Sequence, residues 1–335
     1  MSKIEDRSKR RVENAEKSIF RCVRRVYVLM PTMFFPGDSM VIEAKAPVLR
    51  IGSKNRVAAG FTLIELLVVI SIIALLMGML LPGLSRVKRQ AKAVACQSNL
   101  KQWSLIWAMY CGDNNNSFSS GVGVGWARGQ WVICLRSKYQ TESDILRCPM
   151  AMTPLYNSQG YGGPYNSYQM PIGDGEVGED NDYGEDGEYE LGGEEPSYGI
   201  NCWTYNPPDG VEEIQGRPTK WNWRHTNVKG GVKIPIFGDS MWRGGGPYED
   251  GVRGDPPARN GLWTGVESEM SHFCIDRHDG RVNYLFLDYS VRKVGIKELW
   301  TLKWHRDFNT KGYWTVAGGV RAQDWPVWMR KFKEY

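Results

Sequence analysis

Gly60-Phe61-Thr62-Leu63-Ile64-Glu65 opens a run that continues Leu66-Leu67-Val68-Val69-Ile70 and stays apolar to Leu81, apart from Ser71 and Gly78. At about 1.5 Å per residue a helix over residues 61–81 is long enough to cross a hydrocarbon core of about 30 Å. One carboxylate, Glu65, stands near its start. A charge inside a membrane span costs roughly 2.5–3.5 kcal/mol on insertion scales, so its presence marks function. Lys54 and Arg56 precede the run, and Gly60 is the small residue between them and it. A basic flank, a small residue and an apolar stretch read as an export and processing signal. Here the expected cut lies before the apolar stretch, whereas a secretory signal peptide is cut after it.

That order resembles the type IV prepilin family, whose cut is marked by Gly-Phe-Thr-Leu-Ile-Glu and whose helix is kinked by a proline where Pro82 stands. The resemblance implies cleavage after Gly60 by a prepilin peptidase, which also N-methylates the new Phe61 amine. It implies a homo-oligomeric helical filament built through the apolar helix. Glu65 would then pair with the Phe61 amine of a neighbouring subunit. A buried carboxylate given a cationic partner recovers part of its desolvation cost, and such a pair fixes register.

The net charge of +5 is unevenly placed. Residues 1–60 hold 13 Lys/Arg against 6 Asp/Glu, which leaves the rest of the chain at −2. The basic character sits in the segment to be removed, so it is no argument for a nucleic-acid partner. It fits a cytoplasmic N-terminus under the positive-inside rule. Residues 1–60 form the leader, which is long; a start at Met40 would give one of 21 residues. Residues 61–82 are the transmembrane and filament-core helix, and 83–112 its amphipathic continuation. Residues 113–335 are the head, with an acidic, Gly-rich insertion at 174–195.

The helix is expected to resume near Ser85 after Pro82 and Gly83. It places Val87, Ala91, Val94, Ala95, Ser98, Gln102, Leu105, Ile106 and Met109 on one side. From Leu100, with Trp103 and Trp107, it becomes apolar all round, which predicts a second half covered by the head. Gly112-Asp113-Asn114-Asn115-Asn116 ends it. Strand-like runs follow at Trp131–Leu135, 198–203, 232–237, 282–287 and 291–294, with a hairpin turn at Asp288-Tyr289-Ser290 and a short helix over 296–306. The fold class is α+β: one long helix laid on a small antiparallel sheet.

The head resembles a bacterial pseudopilin-like group, related to the type II secretion pseudopilin G, that carries a His–nine residues–Asp–Gly signature. His278 and Asp288 match it, and Tyr289 replaces the glycine, which would supply a positive φ freely. Arg147-Cys148-Pro149, Ser197-Tyr198-Gly199-Ile200-Asn201 and Phe237-Gly238-Asp239-Ser240 are further marks of the resemblance. It implies a pseudopilus subunit working with a secretion assembly platform and ATPase. The precursor would cross the bacterial inner membrane once, head in the periplasm, before entering a pseudopilus or reaching the cell surface.

The insertion at 174–195 holds 11 Asp/Glu and no Lys/Arg. Asp174, Asp180, Asp182 and Asp186 are calcium candidates, against the alternative of a solvated acidic loop that binds nothing. Cys96, Cys111, Cys134, Cys148, Cys202 and Cys274 follow the leader. Cys96 and Cys111 lie about 22 Å apart on one helix and cannot bond each other. Disulfides among Cys134, Cys148, Cys202 and Cys274 are one expectation, free thiols the other. No CxxC pair exists, and the spacing predicts no zinc site. His272 and His278 flank Cys274 and Asp276, a polar cluster open to a metal, although His278 reads better as a hydrogen-bonding partner of the hairpin. Asp239 and Asp288 end strands, where carboxylates satisfy turn amides.

No G-x-S-x-G and no Walker A motif is present, so the chain is not read as an enzyme. Trp221, Trp223, Trp242, Trp325 and Trp328 leave an alternative function open, a surface fibre or tip adhesin with an aromatic carbohydrate-binding head. The competing reading places those rings in the core.

Overall fold

The computed structural model describes residues 62–120, 131–135, 138–139, 144–155, 160–170, 194–249, 251, 253–263, 265 and 269–335. The chain divides into two units, Met1–Thr62 and Leu63–Tyr335. Only Thr62 of the first unit lies within the described residues, so the leader and the cut site are outside them.

The second unit begins with α1, Leu63–Asp113, a helix of 51 residues. Leu, Ile, Val and Met dominate its first half, and the hydroxyl of Ser71 donates to the Val68 carbonyl at 2.7 Å, which leaves Glu65 as the ionisable group of the apolar run. The expected interruption at Pro82 does not occur: α1 runs through it. A proline deletes one bond of the ladder, and the bonds on either side hold the helix together. The helix ends where the asparagines begin. Asn115 and Asn116 adopt φ of 55° and 59°, and the Asn116 amide returns to the Cys111 carbonyl at 2.7 Å.

α1 has two regimes. No residue from 63 to 92 is buried. Beyond that, Ala93, Cys96, Leu100, Trp103, Ser104, Ile106, Trp107 and Cys111 are buried, spaced at three and four residues along one face. The opposite face stays open, with Leu105 61% and Met109 49% exposed. The prediction of a second half covered all round is therefore corrected: the head supplies one apolar surface, so it covers one stripe.

That surface is a five-stranded sheet. In chain order the strands are β1 (Thr153–Pro154), β2 (Asn166–Ser167), β3 (Tyr198–Asn201), β4 (Glu213–Ile214), β5 (Arg217–Pro218), β6 (Pro235–Asp239), β7 (Gly244–Gly245), β8 (Arg281–Phe286) and β9 (Val291–Gly295). The main sheet has the order β7-β3-β6-β8-β9, antiparallel except for the parallel β3–β7 pair. α1 packs on β8 and β9. Trp103 sits at the centre of this contact, 5.1 Å from both Trp131 and Phe237, and its indole donates to the Ile145 carbonyl at 2.7 Å. Gly199 and Gly238 face each other across β3 and β6; a Cβ on Gly238 would come within 2.6 Å of the Tyr284 ring and the Asn283 carbonyl.

The β8–β9 hairpin forms as expected. Asp288 accepts from the Ser290 amide at 3.0 Å and its hydroxyl at 2.6 Å, while Tyr289, at the usual glycine position, adopts φ 62°. Three other expectations are corrected. Trp131–Leu135 is a short helix, α2, rather than a strand; brief apolar runs do not distinguish the two. The run at 232–237 splits into a 3-10 turn, Gly231–Lys233, and β6, because Pro235 cannot continue the turn. The run at 296–306 is a single 3-10 turn, Glu298–Thr301.

Candidate functional site

The N-terminal region presents an unburied apolar rod. Residues 63–92 span about 45 Å at 1.5 Å per residue, with Leu63 77% exposed, large aliphatic side chains around the circumference as far as Leu84, and the cations Arg86, Lys88, Arg89 and Lys92 beyond. An apolar surface of this extent is far beyond what a soluble monomer keeps in water. Among the described residues, α1 is the helix long and apolar enough to cross a membrane. Glu65 sits in its first turn and Pro82 near the middle of the rod. Gly60 and Phe61 lie outside the described residues.

A second constellation is buried where α1 meets the head. Cys96 projects from α1, Cys148 follows a 3-10 turn at Asp144–Leu146, Asp239 ends β6, and His278 leads into β8. His278 Nε2 is 3.1 Å from Asp239 Oδ2 and 3.4 Å from Cys148 Sγ. Cys96 Sγ is 3.6 Å from Asp239 Oδ1. One donor atom from each residue falls within 4.8 Å of all the others. Around them Arg277 uses its whole guanidinium, donating to Asp239 Oδ1 at 3.1 Å and to the carbonyls of Gly163, Pro164, Ser197 and Ser240. The Asn283 amide donates to Asp239 Oδ2 at 2.7 Å, and the Tyr198 hydroxyl to Cys96 Sγ at 3.3 Å.

The electrostatics follow from these contacts. Burial alone would raise the Asp239 pKa, but His278, Arg277 and the Asn283 amide outweigh it and hold the carboxyl at about 2. Burial would lower His278, and Asp239 reverses this, to about 9. Burial pushes the Cys96 thiol well up. Cys148, hydrogen-bonded by Cys96 and facing His278 and Arg277, falls to about 7 in spite of burial. This is not a hydrolase triad. Cys148 and Asp239 both address the same ring nitrogen, whereas a nucleophile and its orienting carboxylate need opposite nitrogens. All four residues are also buried. What the four donors can do together is hold a cation.

The other predicted site residues separate. His278 and Asp288 do not meet: His278 joins the buried cluster, and Asp288, exposed, closes the hairpin. Asp239 is corrected from a turn cap to the centre of the buried network. His272 contacts the Gly244 carbonyl at 2.8 Å, Cys274 lies against Met329, and Asp276 accepts from the Gly280 amide, so the cluster expected around Cys274 does not form. The disulfides expected among Cys134, Cys148, Cys202 and Cys274 are corrected too: no disulfide joins these four. Cys148 faces His278, Cys274 faces Met329, and Cys202 lies beside the Ile200 carbonyl, so the chain routes them to different parts of the core. Asp174, Asp180, Asp182 and Asp186 lie outside the described residues. Of the five tryptophans named for a carbohydrate-binding head, Trp223, Trp242 and Trp325 are core residues, whereas Trp221 and Trp328 are half-buried.

Of the buried four, three had been marked by the short motifs around Cys148, Asp239 and His278. Cys96 and Arg277 carried no separate signal, since their roles arise from contacts across 143 and 38 residues.

Residues 55–81 match the family model of the prokaryotic N-terminal methylation motif. No curated protein and no solved structure matches the chain. The matched segment coincides with the start of the unburied rod, and together they indicate a membrane-anchored chain, processed by a prepilin peptidase and assembled into a filament. Carrying that motif on a long apolar helix that continues into an α+β head, the chain fits a type IV pilin-like protein.

Proposed function

We propose that this chain is the subunit of a type II secretion pseudopilus, cut after Gly60 and N-methylated on Phe61. The precursor lies in the bacterial inner membrane with its leader in the cytoplasm and its head in the periplasm. Processed subunits are drawn out and stacked with residues 61–82 inward, and growth of the stack displaces cargo. Catalysis belongs to the peptidase and to the assembly ATPase. The observation that carries this reading is the fully unburied apolar length of α1 with Glu65 in its first turn. Neighbouring copies of the same rod can bury that surface, and the Phe61 amine of an adjoining copy can neutralise Glu65. The pseudopilin-like marks at Cys148, Asp239 and His278 favour a secretion system over a surface fibre, as does the burial of Trp223, Trp242 and Trp325.

The test is Glu65→Val. Removing the charge leaves membrane insertion intact, because a valine is more favourable in lipid by about 3 kcal/mol. Assembly should fall sharply, read as the amount of sheared or cross-linked filament. Filaments of normal yield and normal axial rise from this variant would contradict the pairing.

A further inference from the structure

We infer that Cys96, Cys148, Asp239 and His278 form a structural zinc site that fastens the filament helix to the head. In a tetrahedral site with zinc about 2.3 Å from sulfur and about 2.0–2.2 Å from nitrogen and oxygen, neighbouring donors stand about 3.3–3.8 Å apart. With Asp239 Oδ2 as the oxygen donor, the structure gives 3.1 Å to His278 Nε2 and 3.8 Å to Cys96 Sγ, with 3.4 Å from Nε2 to Cys148 Sγ and every donor within 4.8 Å of the others, a set that closes to tetrahedral spacing with shifts of a few tenths of an ångström to about 1 Å. The His278 Nε2 atom faces both the Asp239 oxygen and the Cys148 sulfur, so the donor atoms converge on one point. A cation at the shared centre satisfies all four donors together.

The donor set selects the metal. Two sulfurs and an imidazole are too soft for calcium or magnesium, and a closed four-coordinate set of this kind suits zinc. The charges balance. Binding releases the thiol protons of Cys96 and Cys148 and the Nε2 proton of His278 to solvent, so that the ring ligates in its neutral form. Two thiolates and one carboxylate around Zn²⁺ then total −1, and the fully buried Arg277, bonded to Asp239, offsets it. The supporting contacts exist as well: the Asn283 amide fixes Asp239 Oδ2, and the Tyr198 hydroxyl fixes the Cys96 sulfur. A cleft of about 300 Å³ lined by Arg89, Gln90, Tyr165, Arg277 and His278 reaches the ring side of the cluster and gives an entry path.

The four ligands come from α1, the segment after Leu146, the end of β6 and the lead into β8. A metal there cross-links residues 182 positions apart in the chain, at the first turns of α1 that touch the head. In a subunit under axial load, that is the junction through which force passes.

The test uses the full-length chain purified in detergent, with ZnCl₂ as the probe. Elemental analysis should find about one zinc per chain, and replacement by Co²⁺ should give thiolate-to-metal charge transfer with tetrahedral visible bands. Cys148→Ser should abolish the stoichiometric zinc while Cys111→Ala, at the far end of α1, keeps it. Tyr198→Phe should weaken zinc binding about tenfold in a competition titration with a chelator, by loosening the Cys96 sulfur. Should Cys148→Ser fail to fold, the cobalt spectrum of the unaltered chain still decides. The proposal is overturned by a folded wild-type chain that takes up no zinc, by a cobalt spectrum without sulfur bands, or by a Cys96–Cys148 disulfide in non-reduced peptide maps.

Discussion

Asp239 and Asp288 are two carboxylates of one head with opposite weights. Asp288 is exposed and makes a local turn with Ser290. Asp239 is fully buried and answers Arg277, which is fully buried too. Asp239→Ala should therefore cost about 3–5 kcal/mol, since it strands a charged guanidinium in the core. Asp288→Ala should cost about 1 kcal/mol, the worth of a solvent-exposed turn bond. Urea denaturation of the two variants measures both, and equal losses would contradict the assignment. The sequence marked Asp288 as the signature carboxylate and Asp239 as a turn residue, because a motif reports spacing along the chain. The reversal of their importance depends on which strand end meets Cys96 and His278, and that is a property of strand order.

His305 is a pH-sensitive residue of a different kind. Its ring is buried and stacks on Trp221 at 4.8 Å, with Trp203 and Phe308 beside it. Burial, and then the charge of Lys303, push its pKa down to about 3, although Glu249 stands 3.4 Å from Nε2. The aromatic walls keep the ring neutral in the folded chain. In the unfolded chain it titrates at about 6.5. The unfolded state therefore binds the extra proton between those values. Stability from this residue is complete above about pH 6.5 and declines by about 1.4 kcal/mol per unit as pH falls toward 3. His305→Phe should flatten that part of the stability profile; a variant with the wild-type slope from pH 6.5 to 4 would contradict it.

At the scale of elements, α1 is one helix with two solvents. Residues 63–92 are unburied, with Arg89 meeting Asp279 of the head at 3.5 Å, and from Ala93 a single stripe lies on the sheet. Trp103 carries that contact, so Trp103→Ala should lower the stability of the head by about 3–5 kcal/mol. Leu105→Ala, on the open face, should change it by less than about 0.5 kcal/mol. Thermal unfolding in detergent compares the two, and a large loss from Leu105→Ala would mean that the open face is covered. The start and end of α1 were legible because an apolar run opens it and asparagines stop it, whereas its continuity was not, since Pro82 and Gly83 read as an interruption that the helix runs through. The β8–β9 hairpin was legible from its two β-branched runs and the Asp-Tyr-Ser between them. α2 was not, since five apolar residues fit a strand as well as a helical turn. The edge pair β3–β7 was not either, since the two glycines of β7 carry no strand pattern at all.

On the scale of the whole molecule, the chain joins an apolar rod to a head whose core is complete. The head has its own aromatic interior and a paired sheet, whereas the rod has nothing to bury it within one copy. Lipid can cover it before assembly and sister rods afterwards, and the proposed cleavage after Gly60 would be the step that commits the subunit from one to the other. The account rests on that cut and on the amine it creates. Intact-mass and N-terminal peptide mass spectrometry of assembled protein measures it directly. The expected result is a chain that begins at Phe61 with a methylated amine. A polymer whose subunits still begin at Met1 or Met40 would contradict the account.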